Sequence, residues 1–189
     1  MSGIQVEVSK EDVHRLQWAL RKMQQKAPMR LKNAINRTLT QANKMIREGR
    51  QEGYTIKAGR FKKDMKTFRA SPSNLTAEIV AKGGLPTIVN FKKGFTKRQG
   101  GRADVTKGGL RPVGPEKRRA FQLPSGAMAR RTTGERLPIE VIHGPSVPEM
   151  VNKIYTGKRG GQGDMKPRVR DRLTLEIDKE IAKLAASKG

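Results

Sequence analysis

His143 follows Glu140 by three residues, the nearest this sequence comes to an acid–base couple. Such a couple works only on a nucleophile within hydrogen-bond reach. Alternation along Pro138–Ile142 puts Glu140 on the polar face of a strand, and no plausible nucleophile stands beside it. The second histidine, His14, is remote in sequence, and with no cysteine a zinc site would need carboxylates from elsewhere. Lys82-Gly83-Gly84 and Lys107-Gly108-Gly109 have the composition of phosphate loops, but neither leads into a helix start. They read as turn glycines. Gly-x-x-x-x-Gly-Lys-Ser/Thr, Gly-x-Gly-x-x-Gly after a strand, and Gly-x-Ser-x-Gly are all absent. No catalytic residue, cofactor or metal ligand is expected, and the chain reads as non-enzymatic.

The remaining chemistry is charge. The chain carries 41 basic and 17 acidic residues, a net +24. Residues 1–56 hold +6 of this, residues 57–137 hold +15 and residues 138–189 hold +3. A field of this kind attracts polyanions, whether nucleic acid or an acidic protein face. Candidate contacts are Lys92, Lys93, Lys97, Arg98 and Arg102, then Lys117-Arg118-Arg119 and Arg130-Arg131. The last two clusters flank an expected hairpin, where they can meet a phosphate backbone or simply discourage edge-to-edge pairing. With two tyrosines, one tryptophan and five phenylalanines, a base-stacking platform is poorly supplied.

These groups need a scaffold, and the hydrophobic pattern gives one domain over residues 1–189 of the α+β class. Ile4, Val6 and Val8 alternate as a first strand, and Ser9 with Asp12 caps a helix bearing Val13, Leu16, Leu20 and Met23. His14 lies beside that apolar face. After Pro28 a longer helix is expected from Met29 to Gly49 or Gly53. Its stripe is Leu31, Ile35, Thr38, Leu39, Ala42, Met45 and Ile46, with Lys32, Arg37, Lys44 and Arg47 solvated off its centre. Tyr54–Met65 reads as a short helix carrying Lys62 and Lys63 outward. Strands follow at Thr67–Ala70 and Leu75–Ala81, joined by the turn Ser71-Pro72-Ser73-Asn74.

Residues 92–109 are basic, rich in glycine and short of large apolar groups, so they are expected to form a mobile arm or hairpin tip. A second set of strands runs over Leu110–Val113, Ala120–Leu123 and Ala127–Arg131, with Pro124-Ser125-Gly126 turning the last pair. Residues 157–167 read as a flexible connector. Val169, Leu173, Ile177, Ile181 and Leu184 then mark a C-terminal amphipathic helix whose charges alternate in sign on its outer face. The expected architecture is a mixed or antiparallel sheet packed against two N-terminal helices and this last one. No run is long and apolar enough to cross a membrane.

Leu137–Val151 is the stiffest stretch. Ile139 and Val141 share one face of a strand, and Gly144-Pro145 breaks it. Ser146 caps a helix from Val147, with Pro148 in the first turn. The whole reads as a strand, a rigid corner and a helix leaving at a fixed angle.

At Leu137, Pro138, Ile139, Gly144, Pro145, Ser146, Val147 and Pro148, within Leu-Pro-Ile-Glu-Val-Ile-His-Gly-Pro-Ser-Val-Pro-Glu-Met, the sequence resembles the phage minor tail protein Z family, the lambda-type tail completion proteins. Ala34-Ile35-Asn36-Arg37-Thr38, the stretch Tyr54–Met65, Phe68-Arg69-Ala70-Ser71, the Arg130-Arg131 approach and a final helix rich in arginine and glutamate agree in order. The resemblance covers most of residues 30–189. Residues 92–109 are longer and more basic than the family pattern. The resemblance implies a non-enzymatic virion protein, made in the host cytoplasm and placed at the head-proximal end of the tail. Its implied partners are copies of itself in a ring, commonly of six, and neck proteins such as the tail terminator and the head–tail connector. The basic middle would face an acidic ring or the DNA passing through the channel, and no membrane partner is expected. The alternative reading is a basic nucleic-acid-binding protein acting on duplex DNA.

Overall fold

A computed structural model describes residues 2–6, 27–113 and 119–186. The expected helix capped by Ser9, with His14, lies outside the described residues, as do Lys117 and Arg118.

Helix α1 spans Ala27–Gly53. It begins before Met29 because Pro28 occupies the first turn, where no amide donor is required. Every member of the expected stripe is buried, together with Ala34. Complete burial of Ile35 and of Ile46 contributes on the order of 1.5–3 kcal/mol each. Thr38, the polar member, donates its hydroxyl to the Ala34 carbonyl at 3.0 Å, so no donor is left bare. Gly49 does not stop the helix. A Cβ there would lie 2.4 Å from Cγ2 of Ile154, so this glycine marks a helix crossing. Helix α2 covers Ala58–Lys63, burying Phe61 and turning Lys62 and Lys63 to solvent.

The strands form three small antiparallel sheets. In the first, β3 (Ala77–Ala81) lies between β1 (Ser2–Val6) and β2 (Met65–Phe68). Ala77, Ile79 and Ala81 face the core. The Ser71–Asn74 turn closes with Ser71 N–H to the Asn74 carbonyl at 2.8 Å and Asn74 N–H to the Ser71 carbonyl at 3.2 Å. Strand β2 ends at Phe68, two residues short of the expected Ala70. The Asn36 side chain explains this: its Nδ2 donates to the Ala70 carbonyl at 3.0 Å, and its Oδ1 accepts from Ala70 N–H at 2.9 Å.

The second sheet orders β4 (Lys92–Thr96), β5 (Gly100–Asp104) and β6 (Arg111–Pro112). The third orders β7 (Phe121–Gln122), β8 (Met128–Arg131) and β9 (Ile139–Val141). The two are stitched together by Gly101 N–H to the Ala120 carbonyl at 2.8 Å. Residues 92–104 are therefore a paired hairpin, and Gly100, Gly101, Ala103 and Asp104 of β5 are buried. Gly101 supplies the reason: a Cβ would lie 3.0 Å from both the Ala120 Cβ and the Met128 Sδ, so its bareness lets the third sheet cover β5.

Helices α3 (Val147–Tyr155) and α4 (Met165–Ala186) complete the chain. Between them, residues 157–164 run past the end of α1, with Gly160 buried and most of the others exposed. Gly160 is buried at φ +90°, and a Cβ there would stand 2.5 Å from the Gly49 carbonyl oxygen. Arg159 lies over the Tyr54 ring at 5.8 Å, and Thr156 bridges to Asp164. Composition reads these glycines as flexibility, whereas in the structure Gly160 and Gly161 permit close approach to Gly49 and Glu52 at the end of α1. One hydrophobic cluster joins α1, Ile56, Phe61, β3, Ile88, Phe91, Met128, α3 and α4 as far as Ile177. Among the described residues, no helix is long and apolar enough to cross a membrane.

Candidate functional site

The corner has the local geometry its sequence demands. Ser146 Oγ accepts from Glu149 N–H at 3.3 Å, and Pro148 stands in the first turn of α3, which buries Val147, Met150, Val151 and Ile154. Gly144 N–H donates to the Pro86 carbonyl at 2.8 Å. A Cβ on Gly144 would come within 2.4 Å of the Phe91 ring, so only glycine fits beneath that ring. Ile142 is bonded on both sides: its N–H donates to the Met128 carbonyl at 2.9 Å, and its carbonyl accepts from Ile88 N–H at 3.0 Å. The corner is thus fixed to the 86–91 segment as well as by its own prolines. The Leu137–Pro138 peptide is cis. Leu137 and Ile139 are 66% and 39% exposed, an apolar pair in solvent on a rigid support.

Glu140 and His143 are not brought together as a couple. The Glu140 carboxylate accepts from Arg130 Nε at 3.0 Å and Nη2 at 2.9 Å, because antiparallel register places the two residues opposite each other. His143 is exposed, and its backbone bridges to Thr87. The two glycine loops are also accounted for. Asp104 Oδ1 accepts from Gly108 N–H at 3.0 Å, which makes Lys107-Gly108-Gly109 a carboxylate-capped turn. At Gly83 a Cβ would collide with the Asp64 carboxylate, an anion where a phosphate would have to sit.

The structure sorts the basic candidates. Arg130 is paired across the sheet, and Arg131 braces the 132–137 loop by donating to the Arg136 carbonyl at 2.5 Å while lying 5.5 Å over the Phe121 ring. Lys93 donates to the Gly126 carbonyl at 3.1 Å. Lys92 and Lys97 are exposed on β4 and its turn. Arg98, Arg102 and Arg119 converge, lining one open cleft with Gln99 and Pro112. Gly100, at φ +73°, permits this, since a Cβ would lie 2.9 Å from the Ala120 carbonyl oxygen and 3.0 Å from the Arg119 Cβ. Arg102 donates from Nη1 to Gln99 Oε1 at 3.2 Å and from Nη2 to the Leu110 carbonyl at 2.8 Å. Arg119 donates to the Arg98 carbonyl.

A second charged cluster was expected to be solvated. Glu176 and Glu180 do not lie on the outer face of α4. They are 2% and 1% exposed and face α1, where Arg37 reaches both. Arg37 Nη1 stands 2.5 Å from Glu180 Oε1 and 3.5 Å from Glu176 Oε2. Arg30 and Lys183 add to Glu180, and Arg172 and Lys179 add to Glu176. Burial alone would raise both carboxyl pKa values. Hydrogen bonds from Lys179 to Glu176 and from Arg30 and Arg37 to Glu180, with the surrounding cations, outweigh it and hold both below the ordinary glutamate range. The Glu180 hydrogen bond in turn raises the Arg37 pKa. The signal was present in the sequence: steps of three and four from Leu173 reach Glu176 and Glu180, on the apolar stripe itself.

Comparison with protein-family models, with curated proteins and with solved structures gives no match.

Proposed function

We propose that this chain is a structural subunit of a phage virion, a tail completion protein that forms a ring at the head-proximal end of the tail and is needed for head–tail joining. One observation carries the reading: the separate stretches that resemble the minor tail protein Z family are joined by direct contacts. Asn36 of Ala34–Thr38 holds Ala70 of Phe68–Ser71. Arg37 of the first stretch grips Glu176 and Glu180 of the final helix. Arg130 of the basic approach holds Glu140 inside the motif. Asn36 and Arg37 thus tie the long first helix to the first sheet's turn and to the final helix, while Arg130 anchors the strand that leads into the 137–148 corner.

In this reading the exposed pair Leu137 and Ile139 contacts the next copy in a ring of six. The faces of that ring meet the tail terminator and the head–tail connector. Electron microscopy of particles assembled with and without the chain tests the proposal, and intact, infectious particles lacking it would refute it. For the contact itself, Leu137→Asp with Ile139→Asp should abolish rings seen by sedimentation while leaving the circular dichroism spectrum unchanged. Rings that survive this change would exclude the corner as the contact.

A further inference from the structure

We infer that the cleft between the β4–β5 turn, β6 and the segment entering β7 grips the phosphate backbone of duplex nucleic acid. Its walls carry three guanidinium groups, Arg98, Arg102 and Arg119, with Gln99 and Pro112. Among the described residues, none of the three is ion-paired, and their protein acceptors are neutral: the Gln99 amide oxygen and the Leu110 and Arg98 carbonyls. Arg102 is half-buried, held through both Nη atoms, and its Nε is buried without a partner. Position is therefore fixed while charge is left uncompensated. Like charges gathered in this way repel, so the arrangement calls for an anion from outside.

Among the described residues, no carboxylate lines the cleft. Between residues 92 and 113 the only carboxylate is Asp104, which is buried and turned to Gly108 N–H. Lys97 and Arg111 are exposed on the same sheet and its turn, extending the positive surface beyond the cleft. The planar fork of arginine matches the oxygens of a phosphate, as it does those of a carboxylate. Two features favour a nucleic-acid backbone over an acidic protein face. Protein interfaces are built around an apolar core, and among the described residues the only apolar one in this lining is Pro112. The excess of +15 over residues 57–137 also suits a long, uniformly charged polyanion. Among the described residues no aromatic side chain lines the cleft, so contact is with backbone and carries no base readout.

The inference stands without the tail reading, since ring formation and DNA affinity are measured separately. The test is fluorescence anisotropy of the full chain with a short labelled duplex at salt from about 50 to 200 mM. Arg98→Ala with Arg119→Ala should weaken binding about tenfold or more and flatten the slope of log K against log salt by about 2, near 0.9 per lost phosphate contact. Arg98→Glu, at an exposed side chain with no partner among the described residues, reverses one charge without altering the Arg119 contact and should weaken binding as strongly. Lys62→Ala with Lys63→Ala, on the outer face of α2, should change affinity less than about twofold. Wild-type affinity in both cleft variants would overturn the inference. So would polyglutamate competing as well as DNA at equal charge, which would assign the cleft to an acidic protein.

Discussion

Replacing Glu180 by glutamine keeps the side chain's volume and removes its charge from the contact between α1 and α4. The wild-type carboxylate accepts from Arg37 at 2.5 Å, Arg30 at 3.1 Å and Lys183 at 3.3 Å. In a dry interior each such bond would contribute about 1.5–3 kcal/mol. Here the carboxylate is hidden largely beneath its own partners, which are a third to a half exposed and return to water when released. Discounting for that screening leaves about 0.5–1 kcal/mol per contact, or roughly 2 kcal/mol in all. Thermal unfolding followed by circular dichroism should show Tm lowered by about 4–8 °C in a chain of this size. A double-mutant cycle with Arg37→Ala should return a coupling of about 1 kcal/mol. The pH dependence has a definite sign. Both folded-state carboxyl pKa values are depressed, so the stabilisation is complete above the unfolded glutamate value of about 4.3 and is lost as pH falls through the folded ones. Wild type should therefore lose more stability between about pH 5 and 3 than Glu176→Gln with Glu180→Gln, the two converging in acid. If Glu180→Gln matched wild type within about 0.5 kcal/mol and titrated identically, the ion cluster would contribute nothing to holding the helices together.

Two further outcomes follow from the corner and the glycine loop. Pro145→Ala with Pro148→Ala should lower ring yield in sedimentation more than it lowers monomer Tm, because the Ser146 cap and the Gly144 contacts remain; equal losses would make the prolines merely structural. Gly160→Ala should destabilise the fold by about 2–3 kcal/mol in urea unfolding, since its left-handed φ and the Gly49 carbonyl both oppose a Cβ, and an unchanged midpoint would show that the loop yields freely.

What could be read in advance was whatever depends on neighbours in sequence. The α1 stripe, the Ser71–Asn74 turn and the Ser146 cap with Pro148 are set within a few residues, and each stands where the pattern put it. The strands at 77–81, 128–131 and 139–141 were legible on the same grounds, but the pairing of 92–96 with 100–104 and the division into three sheets were not. That division depends on Gly101 lying bare under Ala120 and Met128. Glycine is ambiguous in this respect: its permissiveness reads alike for a loose tether and for the tight seat of Gly160 on Gly49. Charge is ambiguous too. Arg37 looks like a solvated residue beside a stripe until the facing helix offers Glu176 and Glu180. Arg98, Arg102 and Arg119 look like members of a diffuse basic stretch until the fold gathers them and leaves Arg130 and Arg131 elsewhere.

The clasp between α1 and α4 also bears on how the molecule is made. Arg37 and Glu180 are 143 residues apart. At a synthesis rate of about 5–20 residues per second, α1 leaves the ribosome roughly 7 to 28 s before the helix that covers it. Over that interval Leu31, Ile35 and Leu39 lack their final cover, while the charge of the newborn chain rises from +5 at residue 37 to +21 at residue 137. Mutual repulsion between such chains opposes aggregation while the stripe waits. The charge thus serves the protein before any partner arrives.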